Sequence, residues 1–246
     1  MQTMTTHTSF VCTALIVLEI IFVPLYLKKM WPTKNWQSLG YKMICASAYL
    51  LLALVIAEQI GFGGKYAVLM LSGFGFSWLG DLMLHIPKPT KVFFLFGMLF
   101  FAMAHVFYCM AYLKIQRELF SQSPDFLWQE FAAAAAITAA FLIAAYSKGI
   151  HFGEMLVPLM VYGCFVSMMT IKSTELAIAL LAGSNATDIL PAVLLGLGGI
   201  LFMLSDGSLG LITFDTRYKK FKLKIFNTVT YFAAQVFLAF TVLFFN

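Results

Sequence analysis

The sequence predicts an all-α fold: a polytopic transmembrane helical bundle of about eight spans. Hydrophobic residues make up 61% of the 246 positions and charged residues 11%. A soluble domain carries about 25% charged residues. Mean hydropathy is +0.89. The apolar residues gather into eight stretches near the ~20 residues that cross a bilayer. Membrane helices account for the whole chain, so 1–246 reads as a single transmembrane domain with no soluble domain or long tail.

The spans follow in order. The first covers 9–27; no basic segment or small-residue cleavage motif precedes it, so it reads as a retained helix and not a signal peptide. Pro32 separates it from the second, 41–57. Gly61-Phe62-Gly63-Gly64 leads to the third, 66–86, which Pro87 and Pro89 end. The fourth covers 91–113. The fifth, 126–146, lies between Pro124 and Gly149. The sixth covers 154–171, and a helix-like run can extend it through Leu180. The seventh covers 189–213 and the eighth 225–245.

Lys and Arg set the expected orientation. Lys28, Lys29, Lys34, Lys42, Lys88, Lys91, Lys148, Arg217, Lys219, Lys220, Lys222 and Lys224 fall on one side; Lys65, Lys114, Arg117 and Lys172 fall on the other. The richer side reads as cytoplasmic, which places both termini outside, N-out and C-out. The membrane is that of a bacterial cell or an internal organelle. Asn185-Ala186-Thr187 is a three-residue glycosylation match in an outward loop and carries little weight. The net charge of +5 sits in these loops, where topology and lipid head groups explain it, and implies no nucleic-acid partner. Cys12, Cys45, Cys109 and Cys164 occupy different spans without metal or disulfide spacing, and read as small buried hydrophobes.

Chemistry gathers in one polar layer. An ionisable side chain in a bilayer costs roughly 2.5–3.5 kcal/mol on insertion scales, so it is seldom there by accident. Asp81 lies roughly 8 Å from the cytoplasmic end of the third span and Asp206 roughly 10 Å from that of the seventh. Glu19, Tyr162 and Tyr231 fall at similar levels, with Gln235 one turn deeper. Ser77 with Asp81, Phe202 with Asp206, Pro158 with Tyr162, and Asn227 with Tyr231 and Gln235 are four apart and share faces. The two aspartates have no obvious buried cation; Lys42 is nearest, at the cytoplasmic edge of the second span, facing either an acid or a lipid phosphate. His105 falls one or two turns beyond the layer. Ser77 and Ser205 bond their own helix or orient the acids, and neither stands in a serine-hydrolase elbow. Gly73, Gly75, Gly80, Gly196, Gly198 and Gly199 are close-packing positions expected to bring the third and seventh spans together. His7, His85 and His151 lie in or near loops, which disfavours a zinc hydrolase.

Five ordered motifs carry a family resemblance: Ser77-Trp78-Leu79-Gly80-Asp81, Gly97 through His105 to Tyr108, Pro158 to Tyr162, Gly198 to Asp206, and Tyr231 to Gln235. Together with Lys42 at the opening of the second span, they resemble the YhhN-like lysoplasmalogenases, eight-helix membrane proteins. The resemblance runs from the second span onward. The first span and 172–188 match poorly, so Glu19 rests on its depth alone. The resemblance implies hydrolysis of the vinyl ether bond of a lysoplasmalogen to a fatty aldehyde and a glycerophospho-head group, with Asp81 and Asp206 as the family aspartates. Two carboxylates in a poorly solvated site tend to share one proton. One would protonate the vinyl ether; the other would stabilise the cation or activate water. Substrate contacts fall to Lys42, Ser77, Tyr108, Tyr162, Ser205, Tyr231, Gln235, His105 and Glu19, with Lys42 and nearby loop lysines on the phosphate. The expected partners are a lysophospholipid and the bilayer; no metal or organic cofactor is needed. The alternative is a proton-coupled transporter or lipid-binding protein using the same Asp pair.

Overall fold

A computed structural model describes residues 4–62, 64–87, 90–119, 126–183 and 188–245. The described residues form eight helices and no strand: α1 (Thr6–Met30), α2 (Trp36–Ile60), α3 (Lys65–His85), α4 (Lys91–Leu119), α5 (Trp128–Ser147), α6 (Leu156–Ala182), α7 (Ile189–Phe214) and α8 (Phe221–Thr241). Short 3-10 turns cover Gly153–Met155 and Thr216–Tyr218. All eight helices are long and apolar enough to cross a membrane, which is compatible with a multi-pass membrane protein. Lys88, Pro89, Pro124 and the 185–187 glycosylation match lie outside the described residues.

Polar caps extend several helices beyond their apolar runs. The Thr5 side chain accepts from the Thr8 amide and starts α1 three residues before the first apolar stretch. Asn35 and Ser38 form a capping box that starts α2 at Trp36, five residues earlier than hydropathy alone places it. That shift moves Lys42 inside the helix. At the other end of α2, Gly61 has φ 78°, a conformation glycine adopts without steric penalty. Helix α6 runs without a break through Lys172 and Glu175 to Ala182. Lys172 is therefore no outer-loop residue; it is fully buried.

Helices α1 with α2, α3 with α4, and α7 with α8 pack as antiparallel neighbours. Helix α6 packs on α4, α5 and α7, and α2 packs on α3 and α8. The core between them is rich in buried rings, including Tyr49, Tyr66, Phe74, Tyr108, Tyr112 and Phe202. Large apolar side chains such as Phe10, Ile20, Ile143 and Val157 face outward, as a lipid solvent permits.

The glycines act differently from expectation. A methyl group at Gly80 would lie 2.6 Å from the Phe101 ring, and one at Gly73 would overlap the Tyr108 ring, so both seat α3 against α4. Gly198 meets Leu238 of α8 and Gly199 meets Ser173 of α6, while Gly75 meets nothing within 4 Å. Small residues thus hold each aspartate helix against its own neighbour rather than pressing α3 onto α7. The space left between those helix pairs houses the site.

Candidate active site

A cavity of about 590 Å³ reaches the end of the bundle that carries Lys34 and the first turn of α8. Small-molecule sites run from about 300 to 1,000 Å³. Asp81 and Asp206 both line it, as do Lys42, Tyr162, Ser205 and Tyr231. Most of its wall is apolar, with Phe94, Met98, Leu142, Leu159, Met203 and Phe214 among the lining side chains.

Asp81 is built from α2, α3 and α8. Lys42 lies six residues into α2, about 9 Å along it, level with the acid. Its Nζ is 3.0 Å from Asp81 Oδ1, and both side chains are buried. The ammonium also lies over the rings of Tyr231 and Phe232, 4.2 and 4.4 Å from their centroids. The expectation of aspartates without a buried cation is therefore corrected for Asp81. Asp81 Oδ2 accepts hydrogen bonds from Tyr231 at 2.7 Å and Tyr49 at 3.2 Å.

A polar chain stands behind Tyr231. Gln235 Nε2 donates to the Tyr231 hydroxyl at 3.0 Å, the Tyr108 hydroxyl donates to Gln235 Oε1 at 3.3 Å, and Ser77 Oγ lies 3.2 Å from that hydroxyl. Ser77, Tyr108 and Gln235 are fully buried and do not line the cavity. The expectation that they touch substrate is corrected: the close approach of α3 and α4 at Gly73 seals Tyr108 inside, and the chain fixes the Tyr231 hydroxyl on Asp81.

Asp206 has different surroundings. Its Oδ2 accepts a hydrogen bond from the Tyr162 hydroxyl of α6. His105 Nε2 lies 3.3 Å from that hydroxyl and 3.8 Å from the same carboxylate oxygen. Asp206 Oδ1 has no described hydrogen-bond partner. His105 is fully buried behind the acid and does not line the cavity. Depth counting put it one or two turns too far because the helices do not begin in one plane. The Phe94 ring of α4 already meets Phe214 at the end of α7, 5.9 Å between centroids, so α4 starts beyond that end.

The carboxylates do not hydrogen-bond to one another. Phe202 joins their surroundings, its ring 5.5 Å from that of Tyr231 and 4.9 Å from that of His105. The expected shared proton is thus replaced by two acids with separate donors on one cavity. Ser205 bonds across helices instead of to Asp206: its Oγ donates to the Asn227 carbonyl at 3.0 Å, and Asn227 Nδ2 returns a bond to the Ser205 carbonyl at 2.8 Å. Glu19 is buried away from the cavity, and its Oε1 has no partner.

Tyr49 was not foreseen. Its signal was its place seven residues after Lys42, on the same face of α2. Lys34 and Lys224 also line the cavity, though sequence placed them only among loop cations. Among the described residues, no three His, Cys, Asp or Glu side chains converge as a metal site would need.

Chemically, the arrangement offers a carboxylate held by an ammonium and two phenols, a second carboxyl group with one free oxygen, and an apolar chamber beside both. Against known proteins, the model of the YhhN family matches residues 39–242, from α2 into the end of α8. No curated protein and no solved structure matches.

Proposed function

The chain belongs to the YhhN family, and we propose that it hydrolyses the vinyl ether bond of a lysoplasmalogen, releasing a fatty aldehyde and a glycerophospho-head group. The observation that carries this reading is the unequal pair of carboxyl groups on one largely apolar cavity. Asp81 sits against Lys42 under two phenol donors, which suits a fixed negative charge. Asp206 has the Tyr162 donor and nearby His105 on one oxygen, and Oδ1 has no described partner, so this acid is assigned the proton-donor role. Different surroundings assign different roles to two acids, as they do in other acid-catalysed sites.

In this mechanism Asp206 gives its proton to the β-carbon of the vinyl ether. The double-bond electrons form the new C–H bond, and the ether oxygen shares the positive charge left on the neighbouring carbon. Asp81 faces that cation as its counter-charge, a preorganised stabilisation that costs no reorganisation. Water adds to the cationic carbon and returns a proton to Asp206. The resulting hemiacetal passes its hydroxyl proton to the leaving oxygen and separates into aldehyde and alcohol. Tyr162 and His105 hold Asp206 in place; Tyr231, fixed by Gln235, Tyr108 and Ser77, holds Asp81. The apolar wall accepts the single hydrocarbon chain and limits water at the reacting carbon.

The test is incubation of the purified chain with a 1-alkenyl lysophospholipid in D₂O, sampled early. The account expects free aldehyde carrying one deuterium on the carbon next to the carbonyl, and no product from the 1-acyl analogue. Release of a fatty acid from the acyl analogue, or no aldehyde from folded protein, overturns it.

A further inference from the structure

Among the described residues three lysines line the cavity, but they are not equivalent. Lys42 is matched by Asp81 at 3.0 Å. Lys34, between α1 and α2, donates to the Leu84 carbonyl at 2.6 Å. Lys224, in the first turn of α8, donates to Asn227 Oδ1 at 2.8 Å. Among the described residues neither Lys34 nor Lys224 has a carboxylate partner. An ammonium has three donors and no acceptor; each of these spends one on a neutral oxygen.

Their surroundings make the lack of a directly bonded anion informative. Lys224 is only 8% exposed. Lys42 and Lys34 both lie within electrostatic range of it, and so does the Asp81 carboxylate, which Lys42 already binds directly. Burial, with Lys42 and Lys219 nearby, pushes the Lys34 ammonium down to about 8. Buried charges are normally paired, and like charges crowded together raise the cost. Surface lysines that only set topology would point to water; these two line a cavity. His85, the last residue of α3, is already engaged: its Nε2 lies 3.2 Å from Ser38 Oγ and its Nδ1 3.5 Å from the Tyr26 hydroxyl. Both of its ring nitrogens are therefore occupied by hydroxyl groups. The α8 N-terminus has no side-chain cap, so free backbone N–H groups lie at the same end and favour negative charge.

We propose that Lys34 and Lys224 form a subsite for the phosphate of a lipid head group, at the mouth of the cavity and separate from Lys42, whose charge belongs to Asp81. A phosphodiester fits because its oxygens accept several charge-assisted hydrogen bonds at once and its single charge balances the mouth in part. The hydrocarbon chain then extends along the apolar wall, and the bond joining chain to head group falls beside the two acids. The proposal rests on the lysophospholipid reading of the same cavity and supplies its specificity: a lipid with phosphate is preferred over one with a bare glycerol.

The test measures binding without turnover. The purified full-length chain in a neutral detergent is titrated with a 1-alkyl lysophosphocholine, which has no vinyl ether to hydrolyse, and with the 1-alkylglycerol of the same chain length. The expected wild-type preference for the phosphate-bearing lipid is about tenfold or more, the scale of one or two charge-assisted bonds. Lys34→Met and Lys224→Met should each reduce that ratio, the double variant should bring it close to one, and Lys34→Arg with Lys224→Arg should keep it. Equal wild-type affinities overturn the proposal even if the variants fail to fold. A ratio unchanged in a folded double variant also overturns it. Inorganic phosphate is the third arm: weak competition is expected, whereas phosphate binding alone as tightly as the lipid makes this a free-anion site and overturns the head-group assignment. A preserved ratio with no aldehyde release in the D₂O experiment removes the hydrolase reading and leaves this subsite standing.

Discussion

Lys42 with Asp81 and Lys172 with Glu130 are the same chemical pair, an ammonium against a carboxylate inside a helical bundle, yet only the first borders the cavity. Lys172 lies ten residues beyond Tyr162 on α6, about 15 Å deeper. Its Nζ is 2.6 Å from Glu130 Oε1 and 3.1 Å from Glu175 Oε2, and its side chain has no exposure. That cluster ties α5 to α6. At the mouth, Lys42 meets one acid, and the other donors on that acid are phenols that a hydrogen-bonded chain aims from behind. Charge away from the cavity serves to join helices. Charge on the cavity is placed where a ligand can reach it, and there Lys34 and Lys224 hydrogen-bond only to neutral oxygens. Access, not the presence of a buried ion pair, separates a staple from a site.

Removing each lysine breaks the comparison most directly. Lys172→Met strands Glu130 in a closed core, and breaking a buried pair costs about 3–5 kcal/mol. The expected result is a lower denaturation midpoint with unchanged aldehyde release per folded molecule. Turnover falling in parallel with a modest stability loss would make the Lys172 cluster part of the machinery. Lys42→Met should cost less stability, about 1–3 kcal/mol, because Asp81 keeps two phenol donors. It should nevertheless cut turnover about 100-fold, since the counter-charge at the reacting carbon is no longer held in place. Kinetics and thermal unfolding on the same preparations check both outcomes.

Much of this was legible in the sequence because membrane helices write themselves as long apolar runs with breakers between. Asp81, Asp206, Tyr162 and Tyr231 were found by depth, and all four line the cavity. Depth failed where a helix did not begin with its apolar run. The capping box at Asn35 and Ser38 hides the first turns of α2 in polar residues, so Lys42 read as a residue of the edge. His105 was misplaced because α4 starts beyond the end of α7, an offset set by tertiary packing. Lys172 read as a loop cation because its partner Glu130 is on another helix, which no local pattern reveals. The glycines were recognised as contacts, but which helix each one meets depends on the fold. The separation of the two acids follows from those contacts and had no signal in the chain.

The central claim is that Asp206 supplies the proton and Asp81 the fixed charge. Asp206→Asn, made in protein that retains its thermal unfolding midpoint and its binding of the 1-alkyl lysophosphocholine, tests it in one assay of initial aldehyde release. General acid catalysis contributes about 10²–10⁴-fold, and the account predicts a loss of that size in kcat with little change in KM. Turnover within a few-fold of wild type would contradict it.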